Sequence, residues 1–125
     1  MELNMEYTTK QITEDRRKWE QALESGDYKK GKKYLRTENN EYCCLGVACE
    51  LFDNNAKLIY GRYRYGSRGA VATARVVNAL GLYSQNGRHE DSHTTLAQIN
   101  DISDSFEPVI SAIKTGNYYK ELDKQ

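Results

Sequence analysis

Residues 41–52, Glu-Tyr-Cys-Cys-Leu-Gly-Val-Ala-Cys-Glu-Leu-Phe, contain the change from strand to helix that decides the fold of this 125-residue chain. Residues 41–45 follow a turn at Asn39-Asn40 and predict a short strand, and Gly46 permits a tight transition into a helix. Apolar residues then recur at the i, i+3, i+4, i+7 spacing of one buried helical face, namely Leu45, Ala48, Cys49 and Phe52. We therefore predict a short buried helix over residues 45–52.

Further helices are predicted on both sides of this stretch. They cover residues 9–25, residues 70–80 and a C-terminal stretch after Ser105, and end at Gly26, Gly81 and Gly116. Residues 94–99 fit a helical turn or a strand equally well. We expect one α+β domain over residues 1–125, with about four helices packed on a small antiparallel sheet and with residues 1–8 and 119–125 frayed. The predicted core is Trp19, Leu23, Leu45, Ala48, Cys49, Phe52, Val77, Leu80, Phe106, Val109, Ile110 and Ile113.

The charge balance excludes several classes of function. Lys plus Arg and Asp plus Glu are both 18, so the chain lacks the cationic excess of a protein that binds long nucleic acids. No apolar run approaches the roughly 20 residues that a membrane span needs. The first residues do not resemble a signal peptide. We expect a cytoplasmic protein with no membrane partner.

The three cysteines are candidates for chemistry. Cys43, Cys44 and Cys49 could join a histidine in a zinc site, but neighbouring residues of a strand point to opposite sides, so Cys43 and Cys44 cannot easily share a metal. The same alternation predicts that Cys43 or Cys44 faces away from the core, where a thiolate could act as a nucleophile. We expect packing cysteines, no metal and no cofactor.

The best candidate for binding is the segment of residues 57–75, which contains five basic residues and no acid. Arg62 and Arg64 alternate with Tyr63 and Tyr65, so an extended chain places arginines on one face and tyrosines on the other. Guanidinium groups bind phosphate oxygens and phenol rings stack on bases. The residues expected to contact a small phosphorylated, base-containing ligand are Tyr60, Arg62, Tyr63, Arg64, Tyr65 and Arg68. The alternative is an exposed β-hairpin whose tyrosine pairs stabilise the strands.

Two other charged segments carry weaker signals. Residues 27–36 contain five basic residues and one acid, and form a second basic patch that could contact a phosphate. Residues 90–107 contain five acids and no Lys or Arg, which is typical of a solvated face that balances the basic segment.

Several motifs together resemble a known group of proteins. They are Trp19-x-x-Ala22-Leu23-x-Ser25-Gly26-x-Tyr28-x-x-Gly31, Tyr42-Cys43-Cys44-Leu45-Gly46-Val47-x-Cys49-Glu50-Leu51, Leu96-Ala97-x-Ile99-Asn100-Asp101 and Ser105-Phe106. The pattern resembles a widespread group of small phage and prophage proteins, over about residues 19–113. The chain departs from it at Ser103, where Gly is usual, and in the arginine- and tyrosine-rich residues 60–69.

The viral resemblance and the basic segment together suggest a function. Small viral proteins of this kind often block host defence, and some sequester the cyclic nucleotide signals of that defence. We therefore expect a non-enzymatic protein of the host cell cytoplasm that binds a cyclic dinucleotide and assembles as a homo-oligomer. Asn100 and Asp101 are expected either to contact a base or ribose or to cap the turn before the last helix. The alternatives are an inhibitor that binds a host protein directly and an enzyme that cleaves a nucleotide.

Overall fold

Five helices and one five-stranded sheet make up the part of the chain that the computed structural model describes, residues 7–66 and 69–122. In chain order the elements are α1 (Thr9–Ser25), β1 (Lys29–Lys30), β2 (Arg36–Thr37), β3 (Glu41–Tyr42), α2 (Cys44–Phe52), β4 (Ala56–Ile59), β5 (Arg62–Tyr65), α3 (Ala74–Leu80), α4 (Leu96–Asp101) and α5 (Glu107–Thr115). The predicted α+β class is confirmed. Helix α4 lies where the sequence fitted a helical turn and a strand equally well.

The sheet is mixed, with strand order β1-β3-β2-β5-β4. Three of the four strand pairings are antiparallel, as the sequence predicted, and β1 and β3 are parallel, with Lys30 of β1 beside Tyr42 of β3. Strand β4 lies at one edge of the sheet.

Helix α1 has the predicted bounds because both ends carry the expected capping chemistry. The Thr8 hydroxyl accepts a hydrogen bond from the Gln11 amide at 3.0 Å, and Gly26 adopts the left-handed conformation with φ of 83°. Trp19 lies fully buried on the inner stripe, and its indole N–H donates to the Cys44 carbonyl at 2.9 Å. This bond ties α1 to the start of α2.

Helix α2 begins earlier than the sequence indicates. Cys43 is the N-cap residue rather than part of a strand, and its Sγ accepts from the Gly46 amide at 3.4 Å. Strand β3 is therefore only two residues long. Gly46 lies against the carbonyl of Leu35, where a Cβ would overlap the oxygen, so a residue with a side chain does not fit.

Helix α3 is shorter than predicted. It begins at Ala74 because the Thr73 hydroxyl caps it, and the Ala72 amide bonds to the Gln85 carbonyl at 2.9 Å instead of entering a helix. The buried residues are Val76, Ala79 and Leu80, whereas Val77 of the predicted core is only half-buried.

The core lies between the helices and one face of the sheet. Ten of the twelve predicted core residues are buried, and Phe52 and Val77 are half-buried. Tyr119, in the predicted frayed terminus, packs on Trp19 with ring centroids 6.3 Å apart. No helix in the described ranges is long and apolar enough to cross a membrane.

Candidate functional site

The turn between β4 and β5 displays an aromatic side chain at its tip. Tyr60 and Gly61 both have positive φ, 51° and 82°, which defines a type I′ hairpin turn. Tyr60 is 96% exposed. A residue with a Cβ costs about 1 kcal/mol or more in this conformation, so the chain holds an exposed ring at a position where Asn or Gly is usual.

The two faces of β5 differ as the alternation predicts. Residues directly opposite in antiparallel strands share a face. Arg62 lies opposite Thr37, and Arg64 lies opposite Lys57. We call Lys57, Arg62 and Arg64 the arginine face. Tyr63 and Tyr65 lie on the other side of the strand, and Tyr65 is fully buried in the core.

Internal contacts occupy the tyrosine side of β5. The Tyr65 hydroxyl donates to Glu50 Oε1 at 2.8 Å, and Arg36 lies 3.4 Å from the same oxygen. Burial, together with the Glu50 hydrogen bond, raises the pKa of Tyr65 far above its usual range. The Arg36 guanidinium also covers the Tyr63 ring, 3.9 Å from its centroid. Tyr65 is therefore closed to a stacking ligand, whereas Tyr63 is half-buried and already stacks on the Arg36 guanidinium.

The arginine face is different, because its guanidinium groups have no acidic partner in residues 7–66 and 69–122. Among the described residues, no carboxylate forms an ion pair with Arg62 or Arg64. Arg62 lies over the ring of Tyr34, 4.3 Å from the centroid, which orders the side chain without neutralising it. The Arg64 Nε is buried and, within the described chain, has no hydrogen-bond partner. Arg68 lies outside the described residues.

A cleft of about 410 Å³ lies next to Tyr34. Its lining also includes Thr37, which is the cross-strand neighbour of Arg62. Lys32 of the second basic patch lies in its wall, together with the acids Glu41 and Asp104. We missed Tyr34 and Thr37 from the sequence. The Arg and Tyr content of residues 27–36 could have pointed to a binding role for Tyr34. Only the β2–β5 pairing shows that this segment lies next to β5.

Asn100 and Asp101 support the wall of this cleft rather than line it. Asn100 is fully buried, and its side chain accepts from the Cys44 amide and donates to the Gly31 carbonyl, each at 3.0 Å. Asp101 Oδ1 accepts from the Lys33 amide at 2.8 Å. These bonds reach Cys44 and residues 31–33 rather than the turn before α5, so they differ from the predicted cap. Both residues hold the backbone of residues 31–33 beside the cleft.

Lys30 completes this junction. Its ammonium group donates to the carbonyls of Gly31, Asn100 and Ser103 at 2.8–2.9 Å. Burial lowers its pKa. Because three carbonyls already hold this ammonium group, Lys30 is a structural cation. Lys32, the other lysine of the cleft, lies 3.4 Å from the Asp104 carboxylate, with which it forms an ion pair.

The cysteines are buried and neutral. The prediction that Cys43 or Cys44 faces away from the core is wrong, because the helix starts at Cys44 and all three thiols lie inside. Burial raises the pKa of Cys43 to about 11 and that of Cys49 to about 12. It also raises the pKa of Cys44 well above its usual range. In residues 7–66 and 69–122, no three His, Cys, Asp or Glu side chains are placed to hold a metal ion. The thiols are thus suited to packing.

Comparison with known proteins places the chain in a family. The model of the domain of unknown function DUF8296 matches residues 10–75. The chain belongs to this family. The DUF8296 match runs from α1 through the β4–β5 hairpin, so it contains the arginine face, Tyr34 and Lys32, while Asn100 and Asp101 lie beyond it. No curated protein and no solved structure matches the chain.

Proposed function

We propose that this protein is a non-enzymatic binding protein that captures a small phosphorylated, base-containing ligand of the cyclic dinucleotide class. The observation that carries the proposal is the pair of guanidinium groups, Arg62 and Arg64, that have no carboxylate partner in the described chain. Buried or ordered cations normally have a counter-charge, and an anionic ligand would supply one here.

The geometry assigns roles to the side chains of the site. Arg62 is ordered by the Tyr34 ring, so little conformational entropy is lost when it binds a phosphate oxygen. Arg64 supplies the second positive charge, and because its Nε is buried, the ligand would reach this half-buried side chain through its terminal nitrogens. Arg68 stays among the proposed ligand contacts because the sequence predicted it, although it lies outside the described residues. These groups suit a compact ligand with few charges better than a long polyanion, because the whole chain is neutral.

Aromatic rings would hold the bases. Tyr60 offers a ring that is free on both faces at the hairpin tip. Tyr34 lines the cleft, and its ring also contacts the Arg62 guanidinium. Stacking a base on a phenol ring contributes about 1–3 kcal/mol per base in single-stranded complexes and does not require a particular base. The arrangement therefore favours a nucleotide over inorganic phosphate.

The biological role in this proposal follows from the resemblance to small phage and prophage proteins. A viral protein that binds a cyclic nucleotide messenger of host defence would lower its free concentration in the host cytoplasm without any catalytic group. The buried, neutral thiols agree with this role, since they supply no nucleophile.

The experiment is a retention assay with a panel of cyclic dinucleotides and linear controls. The protein is incubated with each compound, desalted and heated, and the released compound is identified by mass spectrometry. Capture predicts that one compound is returned intact, and that at 100 times its Kd it stabilises the fold by about 2.7 kcal/mol. A cleaved product would instead indicate an enzyme. Failure to retain any compound would overturn the proposal and favour direct inhibition of a host protein.

A further inference from the structure

Strand β4 has an outer edge that no described residue covers. It is the last strand in the sheet order, and its only strand partner in the described chain is β5. An edge strand presents a row of free backbone N–H and C=O groups and can pair with another strand.

The hairpin register shows which backbone groups are free. Residues Ile59 and Arg62 flank the two-residue turn, and such a pair exchanges two hydrogen bonds. Backbone groups alternate in direction along a strand, so Lys57 also bonds to β5 while Ala56 and Leu58 direct their N–H and C=O groups outward. The free edge is therefore centred on Leu58.

Apolar side chains are concentrated at this same edge. Leu58 is 54% exposed, and Ile59 and Tyr60 beside it are also exposed. Elsewhere in the described chain, Ile102 is the exposed large apolar residue, and it stands alone. Leu58 and Ile59 lie on this strand and Tyr60 follows in the turn, and exposed apolar residues grouped in this way are typical of an interaction surface.

We propose that β4 pairs antiparallel with β4 of a second copy of this chain, with the two-fold axis at Leu58. The segment is self-complementary in this register. Each Leu58 N–H donates to the carbonyl of the other Leu58, and each Lys57 lies opposite an Ile59, so no two lysines face each other. The product is one ten-stranded sheet across the dimer.

The pairing also builds a two-fold site, a consequence that rests on the proposed function. The axis is perpendicular to the sheet, so both arginine faces lie on the same side. The two β5 strands are three strand spacings apart, about 14 Å. Arginines from both copies would then approach one ligand, and a cyclic dinucleotide, with two phosphates, matches that symmetry.

The test is a disulfide cross-link at the axis. Opposite residues of a hydrogen-bonded antiparallel pair have Cα atoms about 5.5 Å apart, within the range that a disulfide spans. We expect Leu58→Cys to form a covalent dimer in a glutathione redox buffer without nucleotide. The native cysteines do not interfere, because all three are buried.

The matched control is Ile102→Cys, which places a more exposed thiol (84% for the native side chain) away from β4. Absence of the Leu58→Cys dimer, or equal cross-linking of the two variants, would overturn the pairing. Amide hydrogen exchange on the unmodified protein is the second measurement, and it does not depend on the folding of a variant. We expect slow exchange of the Leu58 amide that becomes faster on dilution, whereas rapid exchange at every concentration would contradict the pairing.

These outcomes separate the two proposals. A covalent dimer with no nucleotide retained leaves the pairing in place and removes the proposed function. The opposite result is also informative. If the unmodified protein retains a nucleotide but Leu58→Cys does not cross-link, the pairing is wrong and the proposed function stands.

Discussion

The cysteine-rich residues 41–52 and the hairpin of residues 56–65 both look chemically active in the sequence, and they use their polar groups in opposite ways. In the first, thiols are buried, Glu50 accepts from Tyr65, and Asn100 accepts from the amide of Cys44. In the second, the arginines lack acidic partners among the described residues, and Tyr60 is exposed in a strained conformation. The polar groups of the first region have partners inside the protein, which is typical of a structural role, whereas the arginines without acidic partners in the described chain make the second region the proposed binding surface.

The largest expected effect is the loss of stability when one methyl group is added to a glycine of the first region, compared with the same change at the end of the hairpin. In Gly46→Ala the new Cβ would overlap the Leu35 carbonyl oxygen, which is backbone and cannot move away cheaply. We expect a loss of about 3 kcal/mol or more in the free energy of unfolding, measured by chemical denaturation. Gly66→Ala, at the end of the hairpin, is the control. No described atom lies within 4 Å of its Cβ, so only the positive φ costs, about 1 kcal/mol. Equal losses would contradict the assigned packing.

A second test removes the buried amide that joins α4 to α2. Asn100→Ala leaves the Cys44 amide without its acceptor, and we expect a loss of about 2–3 kcal/mol in the free energy of unfolding. Asn78→Ala, on the exposed side of α3, should change stability by less than about 0.5 kcal/mol. A mild effect of Asn100→Ala would return this residue to the candidates for ligand contact.

The buried thiols predict a stability that falls at alkaline pH. An unfolded thiol loses its proton near pH 9, whereas burial raises the pKa of Cys43 to about 11 and of Cys49 to about 12 in the folded chain. Between pH 9 and 10.5 the unfolded state therefore binds fewer protons, and stability decreases as pH rises. The limiting slope is about 1.4 kcal/mol per pH unit for each thiol. Chemical denaturation across this range measures how the free energy of unfolding changes with pH. In Cys49→Ala this slope should be smaller by the contribution of one thiol. An unchanged slope would disagree with a buried, neutral Cys49.

The smallest effect has the opposite sign. Tyr60→Asn creates Asn-Gly, the preferred sequence for a type I′ turn, and removes the cost of an aromatic residue at positive φ. We expect an increase of about 0.5–1 kcal/mol in the free energy of unfolding, with weaker retention of nucleotide. Tyr60→Phe keeps the strain and the stackable ring, so it should change neither property much. A loss of stability in Tyr60→Asn would mean that the ring contributes packing after all.

Local patterns predicted most of the helices, and tertiary pairing decided the rest. The bounds of α1 follow from Thr8 and Gly26, which act on their own neighbours. The start of α3 depends on a bond from Ala72 to Gln85, and no periodicity of nearby residues contains that partner. For the same reason, the alternation of Arg and Tyr predicted two faces of β5 but not which face is buried.

The site shows the same limit. Sequence alone selected Arg62 and Arg64, yet it could not reveal that Glu50 and Arg36 occupy the tyrosine side. It also could not place Tyr34 under Arg62, since the two are joined through the β2–β5 register. Such long-range neighbours are set by the sheet order.

The most direct test of the account is the affinity of the arginine face for a nucleotide ligand. The ligand returned intact in the retention assay is titrated calorimetrically into the unmodified chain, into Arg64→Ala and into Arg75→Ala, which removes the same charge from an exposed position on α3. A charge-assisted hydrogen bond contributes about 1.5–3 kcal/mol, so we predict a Kd weaker by about 10- to 100-fold in Arg64→Ala and by less than about twofold in Arg75→Ala. Equal affinities in all three proteins would contradict the assignment of the unpaired guanidinium groups to ligand binding.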